Sequence, residues 1–525
     1  MERYLAKGMN QEGTSKTGRN FRCEDLMRNK DGSVVKRAPS RFRNAIAKYI
    51  VRRTQGCSVC GTCIRVCPFG VHEYAGKKLA RPREHLCIGP SCARCIKECP
   101  NGALSLVSNP LYETLGDCRW TNDLITSTWF EAETGEVPPN HMEYRVGDSG
   151  GGFDRLRFRF PKEESGKYRT DGEVSTSIQL NKRRDGRPEI SIDIPMYGGG
   201  MSFGSISLPI MLGRAKAAKV WNTFTCTGEG GYPEELSPYD DHVITQVATG
   251  LFGVREQTIQ RVRVVEFKYA QGAKPGLGGH LLGDKVTQDV ASMREAVTGS
   301  SLFSPFPFHS VYSVEDHKKH VDWIKEINPR ALIAVKVSTP TDIDMVAVGS
   351  YYAGAHIIHL DGSYGGTGAA PDIAKKNIAM PIEYAIPKVH KFLIEEGIRE
   401  EMTLIASGGI RTAYDAAKAI ALGADGVVLG TTELVALECV RCGNCESGRG
   451  CARGIATTDR ELSQLVDVEW AAQRLINLYS AWHTQFVDIL NRLGMKSIQE
   501  LVGRTDCLIH LDYVENRIEV DRGEG

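Results

Sequence analysis

Glu266–His280 reads EFKYAQGAKPGLGGH and overlaps the end of an apolar, β-branched run at Val262, Val264, Val265 and Phe267. A run of that kind broken by Gln271, Gly272, Lys274, Pro275, Gly276, Gly278 and Gly279 is what a buried strand looks like where it delivers charge to a loop. Lys268 and Lys274 are six residues apart, so two cations can meet one anionic ligand, and the glycines let backbone N–H groups approach it. In isolation the stretch reads slightly better as a glycine-rich surface turn with solvated lysines, because short Gly/Lys runs are common. Its neighbours decide between the two.

From about residue 190 short apolar runs alternate with helical segments, and eight of them read as strands. They are ISIDIP near Ile190, NTFTCTG near Thr223, VRVVEFKYA near Val264, SLFSPFP near Phe303, LIAVKVS near Val335, HIIHLDG near Ile358, MTLIASGG near Ile405 and DGVVLGT near Val428. Eight strand–helix units over residues 190–438 predict an α/β chain built on a (β/α)8 TIM barrel, with chemistry at the C-terminal strand ends. A doubly wound sheet is the competing architecture, but no G-x-G-x-x-G opens a helix with an acidic residue at the right distance, so no dinucleotide site is expected. Loops rich in glycine follow most strands: GGGMSFGSIS, TGEGG, the Lys268–His280 loop, DGSYGGTGAA and ASGGIRT. In barrels the loops after strands seven and eight often hold a phosphate, here Ser407, Gly408 and Gly409 with Leu429, Gly430 and Thr431. That suits FMN, with Lys268 placed as the cation that stabilises the reduced flavin near its N1/C2 carbonyl.

Twelve of the 16 cysteines fall in two tight groups, which argues for metal ligation over a disulfide framework. Cys57, Cys60, Cys63 and Cys67 with Pro68 form a C-x2-C-x2-C-x3-C-P run, and Cys87, Cys92, Cys95 and Cys99 with Pro100 repeat it with two extra residues in the first gap. In two-cluster ferredoxins the fourth cysteine of each run ligates the other cluster. Two 4Fe-4S clusters follow: Cys57, Cys60, Cys63 and Cys99 on one, Cys87, Cys92, Cys95 and Cys67 on the other. Zinc sites close on paired hooks with four ligands, which this spacing does not supply. A module of this kind moves single electrons and makes no bonds, so something downstream must use them.

The remaining chain is organised around these two parts. With 65 Lys+Arg against 64 Asp+Glu there is no electrostatic footprint for nucleic acid or membrane, and neither an apolar run of about eighteen residues nor a signal-like N-terminus appears, so a cytoplasmic protein is expected. Residues 1–50 read as a basic surface arm, 51–110 as the ferredoxin-like domain and 111–189 as a connection without assigned chemistry. Residues 439–525 carry the second cysteine group, Cys439, Cys442, Cys445 and Cys451, followed by a helical segment that should pack on the barrel.

MSFGSIS, TGEGG, KYAQGAKPG, GSYGGTGA and SGGIRT, in that order, resemble the synthase domain of glutamate synthases from about residue 150 to about Asp459. Together with the cluster module the chain is similar to the archaeal-type members. The resemblance implies FMN-dependent reductive amination of 2-oxoglutarate, in which ammonia condenses with the ketone and hydride reaches 2-iminoglutarate. By motif position Met201, Ser202, Glu229, Lys274, His280 and Arg294 would meet the keto acid, with Glu229, Lys268 and Lys274 catalytic. Ser202, Gln246, Lys268, Gly365, Gly366, Thr367, Ser407, Gly408, Gly409, Gly430 and Thr431 would meet FMN. His280 and Leu277 depart from the family pattern, which has Gln and Glu there, so the substrate pocket is altered. Cys439, Cys445 and Cys451 resemble the family's 3Fe-4S site; Cys442 offers a fourth ligand, and with it a 4Fe-4S cluster, while structural zinc is the competing reading.

The same resemblance implies a separate glutaminase subunit as ammonia source, so the chain is expected to use ammonia and not glutamine. Electrons are expected from ferredoxin or an NADPH-oxidising subunit, through the N-terminal clusters and the Cys439–Cys451 centre. Two other readings stay open: an N-methylglutamate synthase-like amino transfer, and a flavin/iron–sulfur electron-transfer subunit that turns over nothing itself.

Overall fold

The computed structural model describes residues 34–42, 46–139, 141–149, 151–161, 174–305, 308–366, 370, 373–374, 378–446 and 449–512. Eight parallel strands close into a barrel: β1 (Met196–Gly198), β2 (Thr225–Cys226), β3 (Val243–Ala248), β4 (Val264–Lys268), β5 (Leu332–Ser338), β6 (Ile357–Asp361), β7 (Thr403–Ser407) and β8 (Gly426–Leu429). Closure is by β8 on β1, with Val427 opposite Met196 and Leu429 opposite Gly198. Every residue of β3, β5, β6, β7 and β8 is buried, as the β-branched, nearly continuous apolar runs of a parallel sheet require.

Two strand assignments from the sequence are corrected. SLFSPFP is no barrel strand: Leu302–Phe303 pairs antiparallel with His280–Leu281, as a two-stranded flap in the long β4–β5 connection. The barrel strand missing from the sequence reading is VITQVA, β3, so the Lys268 loop follows the fourth strand. ISIDIP also ends too early, because Ser191–Ile192 pairs with Ile178–Gln179 in a separate two-stranded sheet and the first barrel strand begins at Met196.

Buried ion pairs anchor what surrounds the barrel. Arg214, on the helix Leu208–Val220, places Nε 2.7 Å from Glu433 Oε2 and donates from Nη2 to the Gly199 carbonyl at 2.6 Å, joining the β1 and β8 ends; Tyr479 adds a hydrogen bond to Glu433. Tyr479 lies on the helix Val468–Leu493, which starts with Asp467 accepting from the Trp470 N–H at 2.8 Å and packs on Leu208–Val220. Described residues of the basic arm run along this helix: Gln473 and Arg474 donate to the carbonyls of Val34 and Ala38. Residues 1–33 lie outside the described residues.

The 111–189 segment holds a helix, Asn122–Thr134, capped by Thr121 and ended by Gly135 in the left-handed region. Its buried face includes Ser127, Thr128 and Glu131, which hides the apolar period in the sequence. Tyr49–Arg53 and Leu104–Ser108, which flank the Cys57–Cys99 stretch in sequence, pair antiparallel. Among the described residues no helix is long and apolar enough to cross a membrane.

Asp154 of the connecting segment meets Arg411 in a two-bond pair, Nη2–Oδ1 2.5 Å and Nη1–Oδ2 2.9 Å, while Arg411 Nε reaches Asp415 Oδ2 at 2.9 Å. All three are buried. Arg411→Met strands two carboxylates away from water and should cost about 3–5 kcal/mol, whereas Lys48→Ala breaks only an exposed pair with Asp123 and should cost under ~1 kcal/mol. Denaturant unfolding of both variants checks this; equal losses would contradict it.

Candidate functional site

The C-terminal ends of β1, β2, β4, β6, β7 and β8 converge. Lys268, the last residue of β4, places Nζ 3.0 Å from Glu229 Oε1 in the β2 loop. Burial alone would raise the Glu229 carboxyl, but the charge and hydrogen bond of Lys268, with Arg294 and Lys274, hold it below the usual range. Ser304 of the flap donates to Glu229 Oε2 at 3.3 Å. Gly279 lies so close to this carboxylate that a Cβ there would stand 1.4 Å from Oε1, so only glycine lets the flap approach it.

Lys274 is 1 % exposed, and its Nζ donates to His280 Nδ1 at 3.1 Å. Burial, then the charge of Lys268, pull its pKa down to about 8 against the opposing charges of Glu229 and Glu446. Burial and Lys274 also lower His280, consistent with a neutral ring whose Nδ1 accepts. Arg294, buried at the end of the helix Gln288–Arg294, donates from Nη2 to Ser202 Oγ at 3.0 Å and to the Phe203 carbonyl at 3.1 Å, leaving Nε without a partner among the described residues. Met201 and Ser202 are held against the β2 loop at Gly228, where a Cβ would stand 2.6 Å from Ser202 N. The structure thus brings Met201, Ser202, Glu229, Lys268, Lys274, His280 and Arg294 into one region.

The glycines of the β6, β7 and β8 loops form a cradle. A Cβ at Gly366 would lie 2.7 Å from Thr431 Oγ1, and one at Gly408, whose φ is +91°, would lie 2.5 Å from the Gly362 carbonyl. Gly409 is also left-handed, and no atom lies within 4 Å of a Cβ position at Gly430. Gly365 packs on the Asp361 side chain, and Thr367 lies outside the described residues. Backbone can therefore approach a phosphate here closely, as FMN requires.

Gln246 and Ser407 point into a polar network inside the barrel that sequence reasoning passed over. Gln246 Nε2 donates to Glu266 Oε1 at 2.6 Å, Glu266 Oε2 meets His359 Nδ1 at 2.9 Å, and His359 Nε2 lies 2.8 Å from Ser407 Oγ, which donates to Asp361 Oδ1 at 2.7 Å. Lys336 Nζ is 3.4 Å from Asp361 Oδ2. Burial would lower Lys336, but Asp361 and Glu266 raise it; burial would raise Asp361, but Lys336 and His359 lower it. The signal was available: a charged residue inside an apolar strand run, as in VVEFK, LIAVKVS and HIIHLDG, is costly unless partnered.

The N-terminal cysteines surround two cavities. One is lined by Cys67, Cys87, Cys92 and Cys95, the other by Cys57, Cys60, Cys63 and Cys99. Each takes three cysteines of one run and the last of the other. Cys439, Cys445 and Cys451 lie near enough to interact electrostatically, and Cys442 interacts with Cys445. This loop touches the barrel mouth: Lys285 Nζ donates to the Cys445 carbonyl at 2.5 Å and pairs with Glu446 at 3.3 Å. Among the described residues no three His, Cys, Asp or Glu side chains converge to hold a single metal ion.

Residues 157–496 match the conserved region in glutamate synthase. A Dehalococcoides mccartyi protein described as archaeal-type glutamate synthase (NADPH) is 37% identical, over 87% of this chain and 94% of its own. The Thermotoga maritima protein of that description is 35% identical over 89% and 95%. The glutamate synthase (NADPH) large chain of Azospirillum brasilense is 34% identical over 62% of this chain but only 22% of its own length. Solved structures such as a flavocytochrome b2 variant, at 16% identity and a TM-score of 0.43 over 68% of this chain and 76% of that one, are too remote to add to this.

A carboxylate ligand held by Lys274 would need it protonated, so the affinity for such a ligand should fall above pH about 8. Glu229 is a charge that raises Lys274, so Glu229→Gln should move that alkaline limb to lower pH. Calorimetric titration with a dicarboxylate from neutral to alkaline pH checks this; a limb that stays put or moves to higher pH would contradict it.

Proposed function

The chain belongs to the glutamate synthase family, and from that premise we propose that it is the synthase subunit itself, converting 2-oxoglutarate and ammonia to L-glutamate at the end of β4. The observation that carries the reading is a charge balance. Lys268 is paired with Glu229 and Lys285 with Glu446, while Lys274 and Arg294 are buried without a carboxylate partner among the described residues. Two buried, unpaired cations are costly in a dry site and complement the two carboxylates of a five-carbon keto acid. A relay protein has no need of such a pocket.

In this reading Lys274 and Arg294 bind the two carboxylates, and the Ser202 and Phe203 contacts fix the guanidinium fork. Lys268 keeps Glu229 ionised, so its carboxylate can take a proton from the ammonia as it adds to the ketone and give it to the carbonyl oxygen, which leaves as water when the imine forms. The flap carrying Gly279 and Ser304 covers that carboxylate and excludes water. His280, where the family pattern has Gln, sets the position of Lys274.

The glycine cradle with Lys268 fits FMN, and the cysteine-lined cavities fit 4Fe-4S clusters; a zinc ion would draw four thiolates to about 2.3 Å from one point, not around a cavity. The Cys439–Cys451 loop is the proposed third iron–sulfur site. When bound, these groups supply single electrons and, from FMN, hydride. Ammonia from a partner glutaminase and electrons from ferredoxin or an NADPH-oxidising partner complete the proposal.

Arg294→Met removes one of two cations that meet the keto acid. It should raise the KM for 2-oxoglutarate by about 2–4 kcal/mol, roughly 30- to 1000-fold, and leave the KM for ammonia unchanged. Steady-state kinetics with a chemical reductant measures both; an unchanged KM for 2-oxoglutarate would overturn the assignment.

A further inference from the structure

We infer that His72 donates a hydrogen bond to the iron–sulfur cluster of the cavity lined by Cys67, Cys87, Cys92 and Cys95, and that this bond raises the cluster's reduction potential. The inference rests on the iron–sulfur reading above. His72 is 3 % exposed and lines that cavity, and neither Nδ1 nor Nε2 has a hydrogen-bond partner among the described residues. In any protonation state an imidazole carries at least one N–H, and a buried donor without an acceptor is rare in folded proteins. Among the described residues it meets no acceptor: Phe69, Val71, Ile88 and Leu106 are the apolar neighbours on the wall, and the charge His72 feels is that of the Arg53 guanidinium, which has donors only. The acceptors that remain are those the cavity would contain, the cluster sulfides and cysteine thiolates.

Four thiols already line this cavity, enough for the four irons of a cubane, so His72 is a fifth group and acts on the cluster from outside its ligand set. A reduced cluster carries one more negative charge than an oxidised one, and a donor aimed at its sulfurs stabilises the reduced form more. Among the described residues no histidine lines the other cavity. His72 thus makes this centre easier to reduce than it would be without the donor and sets its potential apart from that of the other centre.

The test uses the full-length holoprotein under anaerobic conditions, with reductive titrations followed by EPR, iron and sulfide assays, and pulsed EPR after exchange into D2O. His72→Phe should shift the reduction equilibrium of one N-terminal cluster about tenfold toward the oxidised form, about 59 mV for one electron. It should also remove an exchangeable deuterium coupling and leave iron and sulfide unchanged. His72→Gln, which keeps an N–H donor, should retain most of the potential. An intact cluster in His72→Phe with an unmoved potential overturns the inference, as does loss of that cluster from both variants, which would make His72 a ligand or a packing group. Absence of iron from the unmodified protein would instead overturn the underlying iron–sulfur reading.

Discussion

The ion pair between Lys268 and Glu229 holds together two loops that the sequence keeps nearly forty residues apart, and the rest of the site is arranged around it. Placing a carboxylate and an ammonium out of water is expensive unless each has the other within hydrogen-bond reach. At 3.0 Å they do, and the pair then acts as a fixed dipole at the barrel mouth. Burial pulls Lys274 down most; Lys268 adds to that and Glu229 opposes it, so the pair adjusts the protonation of the cation beside it. Gly279 and Ser304 can close over Glu229 only because the flap has no side chain at position 279.

Beneath the mouth the barrel spends polar residues where a simpler protein would pack hydrocarbon. Glu266, His359, Gln246, Ser407, Asp361 and Lys336 are buried and bonded in sequence across β3, β4, β5, β6 and β7. A network of this kind resists rearrangement, since loss of any member strands its neighbours. It also fixes Ser407 and Asp361, whose strands lead directly into the cradle loops, and Gly272 donates its N–H to Asp361 Oδ2 at 3.1 Å, coupling the Lys274 loop to the same floor. Precise placement of the loops thus comes from the strands below them.

Much of this was legible because it depends on residue types that have few other uses. The glycines at 365, 366, 408 and 409 stand where backbone must approach backbone or ligand, and the cysteine runs have spacings that few sites share. The strand β3 was harder to see: VITQVA carries Thr245 and Gln246 inside its apolar run and directly follows the polar stretch Tyr239–His242. SLFSPFP has the apolar content of a strand, yet Ser304 and Pro305 suit a flap over Glu229 better than a barrel wall. The helix Asn122–Thr134 buries Glu131 against Trp482 and Gln485 of the long C-terminal helix, a tertiary partnership that no local pattern announces. His72 is likewise invisible until the cavity around it is drawn.

The central claim is that the paired and unpaired charges at the β4 end form a site for reductive amination of a dicarboxylic keto acid. It is tested most directly by reducing the purified holoprotein anaerobically, adding 2-oxoglutarate with 15N-ammonia, and following flavin reoxidation together with the mass of the product. The account predicts one 15N-glutamate for each flavin reoxidised, no comparable product from pyruvate, and little from methylamine in place of ammonia. Reoxidation without labelled glutamate, or a clear preference for methylamine, would contradict it.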